Sequence, residues 1–297
     1  MTPVTIAGIP IGDGHPCRIV AEIGTNHGGD LDLAKWLIKM AKDVGCDLVK
    51  GQCRTPELAV PRDEWEEFRD TPWGKMKKID YRRRVEFNDK QWAELFDYAE
   101  RVSIPLFASV WDEPALGSME ALPSPCYKIP SARLHDRRLV MGAASDGRPL
   151  ILSTGMSDMN DVRAAVMWAS GGASAARKEL KLILLQATSA YPAKAEESNL
   201  RVIRYYKDCF DCPVGFSSHK IGIATCLLAV AVGANMIERH VTWSREARGS
   251  DHRMSSTVED LKRLVQEIRY AEACLGTGVK CIEQSEMAEA KRLRGAV

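Results

Sequence analysis

The chain has 297 residues, 45% apolar and 27% charged, the composition of a globular protein with a large core. Forty-one basic side chains balance forty acidic ones for a formal net charge of +1, which gives no electrostatic reason to expect nucleic acid or an anionic membrane as partner. The longest apolar run, 227–232, is too short to span a bilayer, and the opening "MTPVTIAGIPIGDGHP" lacks the charged and apolar regions of a signal peptide, so a cytoplasmic protein is expected.

In chain order, "VTIAGIPIGDG" predicts a hairpin, "RIVAEIG" a strand, and "DLDLAKWLIKMAKDVG" a helix with an Asp start and a Gly stop. The strand "DLVKGQ" is followed by a polar insertion over 55–86, then by a helix in "NDKQWAELFDYAERVS". Strands follow in "PLFASV" and "CYKIPS", a short helix near "DRRLVMGAAS", a strand in "PLILSTG" and a helix in "DMNDVRAAVMWASG". The pairs "LKLILLQATS" with "NLRVIRYYKDC", "PVGFSSH" with "GIATCLLAVAVG", and "NMIERHV" with "TVEDLKRLVQEIRYAEACLG" complete the series. Eight β/α units in a chain of this length point to the α/β class and a (β/α)8 TIM barrel, ahead of a doubly wound open sheet. The whole chain reads as one domain, with the hairpin in 1–17 closing the barrel floor, the barrel in 18–275 and a tail in 276–297.

The nine cysteines are scattered, with Cys46, Cys126, Cys226 and Cys274 in apolar runs, which favours reduced core thiols. Cys209 and Cys212 have metal or redox spacing, but no second pair accompanies them, so coincidence is the expected reading.

Active sites of such barrels lie at the C-terminal ends of the strands. Those positions carry Glu22, Lys50 with Gln52, Ser109, Lys128 with Ser131, Ser153, Thr188 with Ser189, Ser217 with His219, and Glu238 with His240. A single polar strand end usually just meets solvent, but here every strand delivers one. Two lysines and several hydroxyls suit a compact dianion such as a phosphorylated carboxylate. Two histidines with carboxylates suit a divalent transition metal.

The stretches "AEIGTNHGGDLDLAKWLIKMAKDVGCDLVKGQCRTPE", "WGKMKKIDYRRRVEF", "YKIPSARLHD", "LSTGMS", "ATSAYPAKAEESNL", "VGFSSHKIGIATCLLAVAVGANMIERHVT" and "GSDHRMSSTVEDLKRLVQEIR" resemble, in order, the sialic acid synthase family. These enzymes condense phosphoenolpyruvate (PEP) with N-acetylmannosamine or related sugars on a TIM barrel. The resemblance implies that Lys50, Ser109, Lys128, Ser131, Ser153, Ser189 and Ser217 hold PEP, with Gln52 beside them and Glu22 near the reacting carbons. It implies His219 and His240 as the protein ligands of a divalent ion, manganese ahead of magnesium or cobalt, and Tyr191 and Asp251 as sugar contacts. It also implies a homo-oligomer, dimer or tetramer. His252 is expected in a structural or outer role.

The chain departs from the family pattern in several places. It stops after "GTGVKCIEQSEMAEAKRLRGAV", too short for the small antifreeze-like domain into which such enzymes usually continue. Arg133 stands where a glutamate usually touches the sugar, so it is expected either to read an anionic acceptor or to pair with Asp136. Gly51 and Cys53 replace bulkier residues, and Ser189 and Ser218 replace Asn and Asp. These changes leave the acceptor open between a neutral sugar and a phosphorylated one, as in the related Kdo-8-phosphate enzymes. A metal-dependent pyruvate aldolase is the other alternative.

Overall fold

The computed structural model describes residues 2–294. The chain opens with an antiparallel hairpin, β1 (Val4–Ile6) and β2 (Ile9–Ile11), turned at Ala7 and Gly8 with φ of 48° and 79°. Two positive φ values make a turn whose twist matches that of the strands it joins. Then come β3 (Arg18–Gly24), β4 (Leu48–Cys53), a second hairpin of β5 (Phe68–Thr71) and β6 (Gly74–Lys77), β7 (Leu106–Val110) and β8 (Tyr127–Ile129). The last four strands are β9 (Leu150–Ser153), β10 (Leu182–Ala187), β11 (Val214–Ser218) and β12 (Met236–His240). Strands β3, β4 and β7 to β12 are all parallel and close into one eight-stranded barrel, β12 pairing with β3. These are the eight strands the sequence predicts.

The helices obey their sequence signals. Asp30 caps Leu31–Asp43 by accepting from the backbone N–H groups of Asp32 and Leu33 at 2.9 and 3.0 Å, and Gly45 leaves it with φ of 93°. Asp158 and Thr257 cap Met159–Ala175 and Val258–Leu275 in capping boxes. The sequence reading missed the helix Glu113–Glu120, because "EPALGSME" carries Pro and Gly and only a faint apolar stripe. It also missed the order inside the insertion, where β5, β6 and the helix Lys78–Val85 hold together through Arg69 over Tyr81 and Arg84 over Trp73, both at 4.0 Å.

Side chains alternate along each strand, so one set faces the helices and the other the barrel interior. The outward set, Ile19, Ala21, Ile23, Val49, Ala108, Leu184 and Phe216 among them, packs with the helices in the main core. The inward set forms a separate apolar cluster of Val20, Leu48, Phe107, Cys126, Ile151, Ile183, Leu185 and Met236. Val4, Ile6 and Ile11 of the first hairpin belong to this inner cluster, so the hairpin plugs the floor as predicted.

Six of the nine cysteines are buried free thiols, whereas Cys209, Cys274 and Cys281 are exposed; Cys274, expected in the core, lies near the exposed end of its helix. No helix among the described residues is long and apolar enough to cross a membrane.

Candidate active site

Two residues above the apolar layer, along the same inward faces, the side chains turn polar. Val20 gives way to Glu22, Leu48 to Lys50, Phe107 to Ser109, Cys126 to Lys128, Ile151 to Ser153 and Met236 to Glu238. The register places Glu22 beside Lys50, Gln52 beside Ser109, Ser109 beside Lys128, and Ser217 beside Glu238. Gly215 faces inward on β11, where a Cβ would meet Met236 O at 2.5 Å and Leu185 Cδ2 at 2.6 Å. Only glycine lets β11 approach that closely.

At the centre is a buried cage of opposite charges. Lys50 Nζ lies 2.7 Å from Glu22 Oε2 and 3.0 Å from Glu238 Oε1. Lys128 Nζ lies 2.6 Å from the same Glu238 oxygen, which also accepts from Ser217 Oγ at 3.0 Å. Gln52 Nε2 donates to Glu22 Oε1 at 2.9 Å. Glu238, present among the polar strand ends but given no role by sequence, joins both lysines. Its carboxyl is held well below the usual range: burial works to raise it, and the two lysines outweigh burial. Lys50 is raised because Glu22 and Glu238 outweigh its own burial. Burial brings Lys128 down to about 8, with Glu238 opposing and the Lys50 charge adding to the shift.

Above the cage, the His219 and His240 rings lie 5.5 Å apart between centroids. His219 Nδ1 donates to Thr188 O at 2.8 Å, which leaves the lone pair of Nε2 free in the neutral ring. Burial, and next the neighbouring His240, push His219 down to about 3, and burial lowers His240 as well. His240 Nδ1 is buried without a hydrogen-bond partner among the described residues, and Asp251 Oδ2 stands 3.8 Å from it. A Cβ on Gly24, at φ 53°, would come within 3.1 Å of that nitrogen and 3.2 Å of that oxygen. Two neutral imidazoles, an orphaned ring nitrogen and a nearby carboxylate fit the donor set of a divalent metal. No cluster of three His, Cys, Asp or Glu ligands exists among the described residues. The exposed Tyr191 lies with its ring 4.3 Å from that of His219.

A third group sits across the barrel. Ser131 Oγ donates to Ser153 Oγ at 3.1 Å and accepts from Gly155 N at 3.0 Å. A Cβ on Gly155 would fall 2.4 Å from Ser189 Oγ and 2.9 Å from Ser131 Oγ, so this glycine keeps a hydroxyl-lined cradle open. Arg133 follows Ser131 in a short 3-10 turn, and no ion pair ties it to another described residue. Asp136, its expected partner, caps Arg137–Ser145 by accepting from Leu139 N at 3.1 Å. Ser109 is buried at its register position, and no side-chain hydrogen bond links it to the cage.

Three of the departures from the family pattern lie outside the cage. Gly51 faces the helix Asp89–Arg101, where a Cβ would meet Trp92 Cη2 at 2.7 Å, and Cys53 packs in the same outer core. Ser218 also faces outward, toward the buried Arg239. His252 is buried and shares a 2.7 Å hydrogen bond with Thr242 Oγ1.

Residues 37–280 match the NeuB family. The chain is 38% identical to the human N-acetylneuraminate-9-phosphate synthase over 292 residues, 97% of this chain and 79% of that protein. It is 34% identical to the N,N'-diacetyllegionaminic acid synthase of Legionella pneumophila over 280 residues, 94% of this chain and 78% of that protein. The structure of N-acetylneuraminic acid (sialic acid) synthetase from Leptospira borgpetersenii in complex with citrate superposes with a TM-score of 0.87 at 30% identity, covering 99% of this chain and 98% of that one. With the family model matching residues 37–280 and the human relative 38% identical over 97% of this chain, the chain belongs to the NeuB family.

Proposed function

We propose that the chain is a condensing synthase that joins PEP to an aldose, giving a 3-deoxy-2-keto sugar acid of the sialic acid kind and inorganic phosphate. The observation that carries this reading is the pair of buried lysines, Lys50 and Lys128, set between a hydroxyl cradle and two neutral imidazoles. The named relatives make acids of this kind by their titles.

Lys128 and Lys50, with Ser109, Ser131, Ser153, Ser189 and Ser217, hold the phosphate and carboxylate of PEP. Arg133 adds a cation beside Ser131. The two lysines are balanced by Glu22 and Glu238 before substrate arrives, so PEP draws their hydrogen bonds away from carboxylates already in place. His219 and His240 would hold a divalent ion, manganese foremost, which would supply Lewis-acid polarisation of the aldehyde oxygen. Asp251 and Tyr191 orient the open-chain sugar so that its C1 faces C3 of PEP. A carbon–carbon bond forms between those atoms, and positive charge develops at C2 of the former PEP. Glu22, anchored by Gln52, stands beside that charge and directs the water that adds to C2. The tetrahedral centre then expels phosphate by breaking the C2–O bond.

A cytoplasmic location and a homo-oligomeric assembly belong to the same proposal. A screen of PEP with manganese against a panel of aldoses tests the reading by phosphate release. Phosphate appearing only with PEP, aldose and metal together supports it. Consumption of pyruvate with an aldehyde and no phosphate release would establish a pyruvate aldolase instead.

A further inference from the structure

The inward faces of β4 and β7 carry one more rung above Gln52 and Ser109. Cys53 and Val110 pack outward in the main core, so alternation turns Gln52 and Arg54, and Ser109 and Trp111, toward the barrel interior. The pairing of Gln52 with Ser109 runs on past the strand ends. Trp111 N donates to Cys53 O at 3.2 Å, and Asp112 accepts from Thr55 N at 2.9 Å and from Thr55 Oγ1 at 2.8 Å. Arg54 and Trp111 therefore stand together at the head of the two strands, the guanidinium carbon 4.8 Å from the centre of the indole.

This rung is rich in donors and short of acceptors. Glu86 Oε1 takes Arg54 Nε at 2.6 Å and Arg82 Nη1 at 3.2 Å, so two arginines share one carboxylate and the cluster keeps a surplus positive charge. The Arg54 side chain is only 6% exposed. Its Nη2, Trp111 Nε1 and Arg82 Nε are buried without a hydrogen-bond partner among the described residues. Arg82 belongs to the helix Lys78–Val85 of the insertion; the other two orphans lie on the inward rung. Buried N–H groups are almost always paired, so two orphans on one rung mark the place of an acceptor atom that the chain itself does not supply.

The place of the rung in the barrel indicates which substrate supplies that atom. β4 stands four strands from β10, across the barrel from Ser189 and the hydroxyl cradle proposed for PEP. The Arg54 charge acts instead on Asp251, the residue beside His240 on the proposed sugar side. Burial works to raise the Asp251 carboxyl; His240, a hydrogen bond from Ser250 and the Arg54 charge outweigh it and hold the group low.

We infer that Arg54 and Trp111 are specificity-determining residues whose Nη2 and Nε1 groups donate to an uncharged oxygen of the acceptor aldose, an amide carbonyl or a hydroxyl. The inference rests on the condensing reaction proposed above and assigns two residues to its acceptor. Guanidinium and indole N–H groups only donate, so the rung takes a lone pair and rejects an ammonium in the same place.

The test measures KM for PEP and for two acceptors, a 2-acetamido aldose and the parent aldose with a hydroxyl at C2. Wild type, Trp111→Phe and Arg54→Gln are assayed with manganese. Trp111→Phe keeps an aromatic ring under Arg54 and removes the indole N–H. KM for the 2-acetamido aldose is expected to rise about fivefold in Trp111→Phe and about tenfold or more in Arg54→Gln. KM for PEP and the affinity for manganese should hold in both. A rise confined to the 2-acetamido sugar identifies the carbonyl as the bound oxygen, and an equal rise for both sugars identifies a hydroxyl. Sugar KM values unchanged in both variants, or a KM for PEP that rises as much as that for the sugar, overturn the inference and leave the condensing reaction standing. If the wild type consumes no aldose with PEP, the condensing reading fails and this inference falls with it.

Discussion

Lys128 and Glu238 stand on β8 and β12, four strands apart around an eight-stranded barrel, and meet across its axis at 2.6 Å. The pair closes the cage over the apolar layer and sets the protonation of the lysine. Burial lowers Lys128 to about 8, so its charge is present below that pH and lost as the pH rises through it. A site that binds PEP through that charge should show kcat/KM for PEP falling above about pH 8. Glu238 opposes the lowering, so in Glu238→Gln the fall should begin at lower pH. A profile that is the same in both proteins would separate Lys128 from PEP binding.

The imidazole pair makes a prediction independent of the lysines. His219→Ala or His240→Ala should weaken manganese binding at least tenfold by calorimetry and cost several kcal/mol of transition-state stabilisation. PEP binding should survive in both. Turnover and metal affinity equal to wild type in either variant would remove that residue from the ligand set.

Arg239, between Glu238 and His240, is fully buried and makes no ion pair with a carboxylate among the described residues. It donates to Ser256 Oγ at 2.9 Å, Ser218 Oγ at 3.2 Å, Met254 O at 3.2 Å and Lys220 O, and so ties the segment after β11, which carries His219, to the loop that carries Asp251. Arg239→Met should cost about 1–3 kcal/mol for each acceptor left buried and unpaired. Metal affinity should fall in the population that remains folded. Native affinity in that population would restrict Arg239 to stability alone.

Much of this was legible in the sequence, for physical reasons. Along six of the eight barrel strands an apolar residue is followed two positions later by a polar one, as in Leu48 and Lys50 or Met236 and Glu238, and period-two alternation puts both inside. What strand ends alone could not show is how the side chains pair across the barrel. Glu238 sits 110 residues from Lys128 in the chain, and only closure of the sheet joins them. The meaning of Gly51 was likewise hidden, because its neighbour Trp92 comes from the helix Asp89–Arg101, beyond the whole insertion. The insertion holds no long periodic run, and its order comes from Arg–aromatic stacks that sequence spacing does not announce.

Gly51 gives a test of that packing. Gly51→Ala would push a methyl to 2.7 Å from Trp92 Cη2, a contact that forces the indole to move. Overpacking of this kind should destabilise the fold by about 1–3 kcal/mol in denaturant titration, with KM for PEP unchanged. A variant as stable as wild type would show that Trp92 yields freely; a raised KM for PEP would place Gly51 in the site after all.

The central claim is that Lys50, Lys128 and Glu22 serve a condensation in which water adds to C2 and the C2–O bond breaks. The measurement that bears on it most directly is turnover of PEP with an accepted aldose in oxygen-18 water, followed by mass spectrometry of both products. The account predicts label in the keto acid and none in the released phosphate; label in the phosphate would mean that phosphorus was attacked instead, and would contradict it.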